Sequence, residues 1–341
     1  MNPFVTILIP CFNEEKYIGA LCRDILGQNY PQERIEVFFI DGGSSDNTRN
    51  AIEQYSSGFY SPRILDNKER YVSYALNFGI EQASGEVIIR MDAHARYPTD
   101  YVSKLVNSLY ELNADNVGGS WHTVPSGSGL KAEAIALAMS SVFGVGNALY
   151  RLNIKKVRQV DTVPFGCYRR EVFDKCGTFD VELIRNQDDE FNARLIKAGG
   201  KIFLIPGVRI TYFARESIRK AMKMFFQYGY FKPLVNLKLG RAATIRQFIP
   251  PIFFLLMSLL IISSLWNYWM AVVFLIALSV HLLFGIIFSI PAVFRTKRAG
   301  LLFMLPIVFL LVHLSYGYGY ISGISRFAIF RKAKVDAGTS R

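Results

Sequence analysis

Asp92 and His94 stand two residues apart, at the end of the strand-like stretch Glu86–Met91 with its apolar, β-branched run Val87-Ile88-Ile89. A carboxylate and an imidazole at that spacing are ligand types for a divalent cation, and a strand ending on them brings both to one sheet edge. A cation held there is placed to meet a phosphate. A second acid, Asp41, closes the run Glu36–Ile40 and is followed by Gly42-Gly43-Ser44. Glycines let a ligand or another backbone come close, and Ser or Asp beyond them caps the next helix. Read alone, that segment is a strand-to-helix turn. A third group, Gln187-Asp188-Asp189-Glu190, opens a helical pattern. Acids there are either general-base candidates or residues stabilised by the helix dipole.

The elements that must position these residues alternate in type. Phe4–Ile9 reads as a strand closed by Pro10, and Asn13-Glu14-Glu15 opens a helix with Ile18, Leu21, Cys22 and Ile25 on one face. Strands follow at Glu36–Ile40, Arg63–Leu65, Glu86–Met91, Asn116–Val124 and Val160–Tyr168, with helices at Tyr71–Ala83, Pro98–Leu112, Arg169–Cys176 and from Asp188 to Gly199. This alternation predicts an α/β domain with a mostly parallel, Rossmann-like sheet. Residues 126–160 lose the rhythm and read as a mobile segment over the site. Its basic residues Arg151, Lys155, Lys156 and Arg158 either close over phosphates or form a solvated charge run.

The 341-residue chain is 51% apolar with net charge +12, and its mean hydropathy is +0.22. The apolar excess lies mostly after Phe248, in Phe248–Leu265, Tyr268–Ile290 and Leu301–Ile324, each long enough to span about 30 Å of hydrocarbon as helix. Trp266 and Asn267 alone separate the first two, which predicts a hairpin. The basic residues flanking it, Arg241 and Arg246 on one side and Arg295, Lys297 and Arg298 on the other, put both ends on the cytoplasmic face. Pro306 and the Gly317/Gly319/Gly323 series leave the third stretch open between a crossing helix and a broken or re-entrant one. From Arg215, cations alternate with Met222, Phe225, Phe226, Tyr228, Tyr230 and Phe231, as in a helix lying at a bilayer interface. The basic excess therefore points to anionic headgroups and phosphorylated ligands, not to nucleic acid, for which no motif appears. Cys11, Cys22, Cys167 and Cys176 form no CxxC pair and read as packed small hydrophobes. Met1-Asn2-Pro3 leads into a strand-like run with no secretory signal, so the N-terminal part is expected in the cytoplasm.

In order and spacing, Ile7-Leu8-Ile9-Pro10-Cys11-Phe12-Asn13-Glu14, Ile40-Asp41-Gly42-Gly43-Ser44-Ser45-Asp46 and Arg90-Met91-Asp92-Ala93-His94 resemble the nucleotide-sugar domain of family 2 glycosyltransferases, which have the GT-A fold. The resemblance covers about residues 3–212. Met91–Ala95, Asp161–Gly166, Arg185–Glu190 and the membrane tail further resemble the succinoglycan-type glucosyltransferases of bacterial exopolysaccharide synthesis. It implies a division into a catalytic domain (1–212), a basic aromatic interface segment (213–247), transmembrane helices (248–330) and a basic tail (331–341). It implies that Pro10, Phe12 and Glu14 line a uridine pocket with Gly42 and Ser44, and that Asp41 accepts from the uracil N3–H. Asp92 and His94 would hold Mn²⁺ or Mg²⁺, His94 departing from the family's usual second Asp. Asp188 would be the general base, with Asp189 its competitor and Gln187 where the family commonly has Glu. Gln227 stands where processive synthases carry Gln-x-x-Arg-Trp, but the Arg-Trp pair is missing, which weakens a polymerase reading.

The expectation from all of this is an inverting, metal-dependent hexosyltransferase in the bacterial inner membrane with its catalytic domain in the cytoplasm. It would move glucose from UDP-glucose to a polyprenyl-diphosphate-linked saccharide, alongside exopolysaccharide assembly partners. The alternatives are a polyprenyl-phosphate glycosyltransferase and a non-catalytic membrane subunit that binds nucleotide or lipid.

Overall fold

The structure, a computed structural model, describes residues 2–242 and 244–330, so the expected basic tail at 331–341 lies outside the described residues. Elements are numbered along the chain. The described chain divides into two compact units. One gathers the residues up to His122 with Asn153–Tyr212, and the other gathers Thr123–Leu152 with the chain from Phe213 onward.

The first unit is built on one mixed sheet. β1 (Val5–Cys11) and β2 (Ile35–Asp41) are almost wholly buried runs, as strands covered on both faces must be. With β3 (Ser61–Asp66) and β4 (Val87–Arg90) they form a parallel set in the order β3-β2-β1-β4. The chain runs β1 to β3 in one direction and then returns to place β4 on the other side of β1. That reversal makes the crevice beyond the carboxyl ends of β1 and β4 the topological switch point. Helices α1 (Glu15–Leu26), α2 (Thr48–Tyr55), α3 (Val72–Gln82) and α4 (Tyr101–Glu111) connect these strands or follow them. The buried stripe Ile18, Leu21, Cys22, Ile25 of α1 matches the expected face.

Beyond β4 the sheet continues in the order β8 (Cys167–Arg169), β6 (Asn116–Val124), β9 (Ile202–Phe213) and β5 (Ala95–Arg96), and β7 (Arg158–Gln159) adds to β9. β8 runs antiparallel to β4 and β6, and β5 and β7 run antiparallel to β9. β6 and β9 run in the same direction, the Asn116 N–H donating to the Lys201 carbonyl and the Ala214 N–H to the Val124 carbonyl. Here the structure corrects the expected strand Val160–Tyr168. Pro164 has no N–H for a ladder and Phe165 adopts φ +49, so only Cys167–Arg169 pairs. The twelve-residue β9 has no counterpart in the sequence reading. Pro206-Gly207 in its middle disguises it. Helices α7 (Glu171–Cys176) and α8 (Gln187–Lys197) complete the unit.

The second unit is helical. α9 (Ile218–Leu239), α10 (Ile249–Ser264) and α11 (Tyr268–Thr296) surround α12 (Leu301–Gly323). Three of its helical segments are long and apolar enough to cross a membrane. α12 is one continuous helix through Pro306, followed by a π-helical turn at Ile324–Ile329, so the third stretch is not broken. Its glycines serve packing instead. A Cβ at Gly319 or Gly323 would lie 2.2 Å from the carbonyl oxygen of Phe226 or Tyr230 on α9. Residues 123–152, read from sequence as part of the first domain and as a mobile segment, group with this unit. They form α5 (Leu130–Ala138) and α6 (Val142–Val145), and α5 packs on α12. The Ala-rich α5 is apolar nearly all round and needs partners on more than one side. Glu133 pairs with Arg298 at 2.9 Å. His281 and His313 are packed and hydrogen-bonded, Nε2 to Nδ1 at 3.1 Å, and His313 Nε2 lies 2.8 Å from the Phe143 carbonyl.

Candidate active site

At the switch point the loops after β1 and β2 are laced together. The Asn13 N–H donates to Ser44 Oγ at 2.9 Å, and the Ser45 N–H donates to Asn13 Oδ1 at 2.8 Å. Asn13 takes φ +56, a conformation Asn tolerates better than most residues. The Asp41 side chain has no exposed surface. Its oxygens accept from the Ser44 N–H and hydroxyl (2.6 Å from the hydroxyl) and from Arg49 at 3.3 Å. Asp41 thus secures the Gly42-Gly43-Ser44 turn, and a nucleobase reaches it only when Arg49 or Ser44 turns aside. Pro10, Phe12 and Glu14 are partly exposed along the same edge. Gly42 is buried, where a Cβ would come within 3.4–3.5 Å of the Phe12 ring and the Arg70 backbone.

The loop after β4 brings in the other candidates. Tyr97 clamps it: the Asp92 N–H donates to the Tyr97 hydroxyl at 2.7 Å, and that hydroxyl donates to the Asp92 carbonyl at 3.2 Å. His94 Nδ1 lies 3.2 Å from Glu14 Oε1, so the loops after β1 and β4 meet through this pair. With Nδ1 protonated and donating to Glu14, Nε2 keeps its lone pair for a cation.

Sequence reasoning missed Arg90, the last residue of β4. Its side chain is only 9% exposed, and it joins two of the candidate acids. Nε and Nη2 donate to the two oxygens of Asp92 at 2.9 and 3.2 Å, while Nη1 donates to both oxygens of Asp188 at 2.9 and 2.7 Å. The ring of Phe165 lies 5.7 Å from the guanidinium carbon. The signal was available: a cation inside an apolar strand must find anions, because a buried charge left alone is too costly.

Asp188 reaches this point because α8 is firmly seated. Phe191 packs among Tyr168, Phe173 and Phe179. The fully buried Asn192 accepts from Asn116 and donates to Thr162, each at 2.9 Å. Glu190 is paired with Arg194 and serves the helix. Burial raises the Asp188 carboxyl above its ordinary range; Arg90 opposes this, and Asp92 and Asp189 reinforce it. A raised carboxyl suits a general base, since a stronger base takes a hydroxyl proton more readily.

Gln187, the first residue of α8, is buried, and Lys155 and Arg158 are exposed. Arg151 and Gln227 are buried within the second unit. Among the described residues no group of three or more His, Cys, Asp or Glu forms a metal cage. Asp92 and the Nε2 of His94 nevertheless suit a cation that completes its shell with phosphate oxygens and water. Each Asp92 oxygen keeps a lone pair beyond its bond to Arg90.

Residues 6–177 match the family described as "Glycosyl transferase family 2". The chain is 29% identical to dolichyl N-acetyl-alpha-D-glucosaminyl phosphate 3-beta-D-2,3-diacetamido-2,3-dideoxy-beta-D-glucuronosyltransferase of Methanococcus voltae, covering 94% of this chain and 97% of that one. It is 32% identical to the succinoglycan biosynthesis protein ExoA of Rhizobium meliloti, covering 72% and 73%. A mannosyltransferase from Pyrobaculum calidifontis, solved with GDP-Man and Mn²⁺, superposes with a TM-score of 0.57 at 18% identity over 95% of this chain and 88% of that one, which shows a shared fold. An α/β sheet with its switch point at Asp92 and Glu14, a family match over half the chain, one relative matched nearly end to end and a second, 32% identical, matched over 72% of the chain lead to one assignment: the chain belongs to glycosyltransferase family 2, with a GT-A catalytic fold and apolar helices long enough to span a membrane.

Proposed function

We propose that the chain is an inverting transferase that moves a hexose, glucose in the first instance, from its UDP donor to a lipid-linked saccharide at the cytoplasmic face of a bacterial inner membrane. The product would enter exopolysaccharide synthesis. The observation that carries this reading is the meeting of Asp92 and Asp188 on one buried guanidinium. It sets a donor-side acid beside an acid able to work as base. The names of the relatives support a lipid-phosphate-linked acceptor in one case and a role in succinoglycan synthesis in the other.

In the reaction, an acceptor hydroxyl approaches the anomeric carbon from the face opposite the UDP. Asp188 takes the hydroxyl proton as the oxygen–carbon bond forms and the bond from carbon to the β-phosphate oxygen breaks. The electron pair leaves with UDP, and an α-linked donor gives a β-linked product. Phe12, Pro10 and Glu14 line the nucleotide end and the Gly42-to-Ser44 turn bounds it. Asp92 and His94 would hold the divalent cation, whose contribution when bound is to neutralise charge on the departing diphosphate. Arg90 bridges the two acids and opposes the burial that raises the Asp188 carboxyl.

A second reading concerns the donor. A relative that matches nearly end to end is named a glucuronosyltransferase, which supports a uronic-acid donor. A donor panel in membranes containing the protein separates the two. Labelled UDP-glucose, UDP-glucuronic acid derivatives and GDP-mannose are offered with Mn²⁺ or Mg²⁺, and label is sought in the lipid extract. Label from UDP-glucose supports the first reading and label from the uronic acid supports the second. Label appearing only on added bare polyprenyl phosphate would replace both with a polyprenyl-phosphate glycosyltransferase.

A further inference from the structure

Every nitrogen of the Arg90 guanidinium donates to one of the two acids, and the Phe165 ring lies beside it. The fork to Asp92 is made by Nε and Nη2, a planar arrangement only arginine offers. Nη1 straddles both oxygens of Asp188, so each carboxylate oxygen still has a lone pair facing away from Arg90. The backbone adds constraint, because the Arg90 N–H donates to the Gly166 carbonyl at 3.1 Å and β4 is paired on both sides. The arginine is therefore held at its root and at its tip.

We propose that Arg90 is a positioning residue for the transfer step: it aims the free lone pairs of Asp188 and ties the orientation of this base to that of the donor-side carboxylate Asp92. This deepens the proposed function and rests on Asp188 being the base. Tying the two together makes the base geometry depend on how Asp92 is engaged, so donor loading and proton removal share one side chain. A lysine could supply the charge but not the fork. The charged and titratable groups around Asp188 are Arg90 and Asp92 from β4 and its loop, Tyr168 from β8 and Asp189 on α8. Removing Arg90 therefore leaves Asp188 facing like charges and burial alone.

The test compares Arg90→Gln and Arg90→Lys with the unchanged protein and with Asp188→Asn. It reads calorimetric binding of UDP with Mn²⁺ and turnover of the donor that the panel selects, across pH. For Arg90→Gln, UDP–Mn²⁺ binding is expected to hold within a few-fold while turnover falls about a hundredfold or more. The acid limb of the rate profile should rise by about one pH unit or more, because an opposite charge has been withdrawn from a carboxyl. Arg90→Lys should restore the acid limb but not full turnover. Loss of binding and turnover together would overturn the proposal and leave Arg90 a structural ion pair, as would an unchanged rate and acid limb. Should Arg90→Gln not fold, Arg90→Lys decides: full turnover there contradicts the fork. Asp188→Asn separates the levels, for if it keeps full turnover the base assignment itself has failed, whatever Arg90 does.

Discussion

Asp188 must lose its proton before it can take one from an acceptor, so its environment sets the acid limb of activity. Because burial outweighs Arg90 and holds the carboxyl above its ordinary range, activity should decline at a pH higher than a free aspartate would dictate as the solution is acidified. A rate profile with its acid midpoint in the ordinary aspartate range would contradict this. The Glu14–His94 pair makes a second prediction. Glu14→Gln removes the carboxylate that fixes the imidazole and should weaken Mn²⁺ affinity about tenfold or more, measured by Mn²⁺ titration with UDP present. His94→Asp should move the metal preference from Mn²⁺ towards Mg²⁺, read as the ratio of turnover with the two ions. At this scale Asp92, His94 and Asp188 were legible as residue types at suggestive spacing. Their joining through Arg90 was not, because the residues Arg90 and Asp188 that meet are 98 positions apart. A buried Arg in a strand announces that it has partners without saying which.

At the scale of elements, the glycines of α12 were read as places where a helix might break, and they turn out to be contact points. Helix α9 lies close enough that a Cβ at Gly319 would sit 2.2 Å from the Phe226 carbonyl oxygen, and one at Gly229 would sit 2.1 Å from that of Tyr316. Gly319→Leu should therefore cost about 1–3 kcal/mol of stability, seen as a lower Tm of the detergent-solubilised protein. Gly207→Ala, where a Cβ meets nothing within 4 Å, should leave Tm nearly unchanged. Equal shifts for the two would refute close packing as the role of Gly319. The parallel core was legible because buried parallel strands are apolar along their whole length, as β1 and β2 are. The extension of the sheet beyond β4 was harder to read. β8 is three residues long and follows Pro164 and the left-handed Phe165, while β9 carries Pro206-Gly207 inside it, so local pattern and tertiary pairing disagree.

At the scale of the whole molecule, the chain combines a nucleotide-type α/β unit with a helical unit containing three potential membrane spans. Apolar length made those spans legible. It gave no sign that Thr123–Leu152 belongs with them, because an Ala-rich segment reads equally well as loop or as packed helix. Basic residues flank both ends of the α10–α11 hairpin, so a cysteine placed at Asn267 should react with an impermeant thiol reagent from outside spheroplasts, and one at Lys297 should not. The reverse pattern would put the catalytic unit on the wrong side for a cytoplasmic UDP-sugar. The central claim is that this chain transfers a sugar and that Asp188 removes the acceptor's proton. It is tested most directly by label transfer from the UDP-sugar donor into lipid-linked saccharide, comparing the unchanged protein with Asp188→Asn at matched expression and matched UDP–Mn²⁺ binding. The account predicts transfer by the first and a loss of about a thousandfold in the second; equal transfer by both would contradict it.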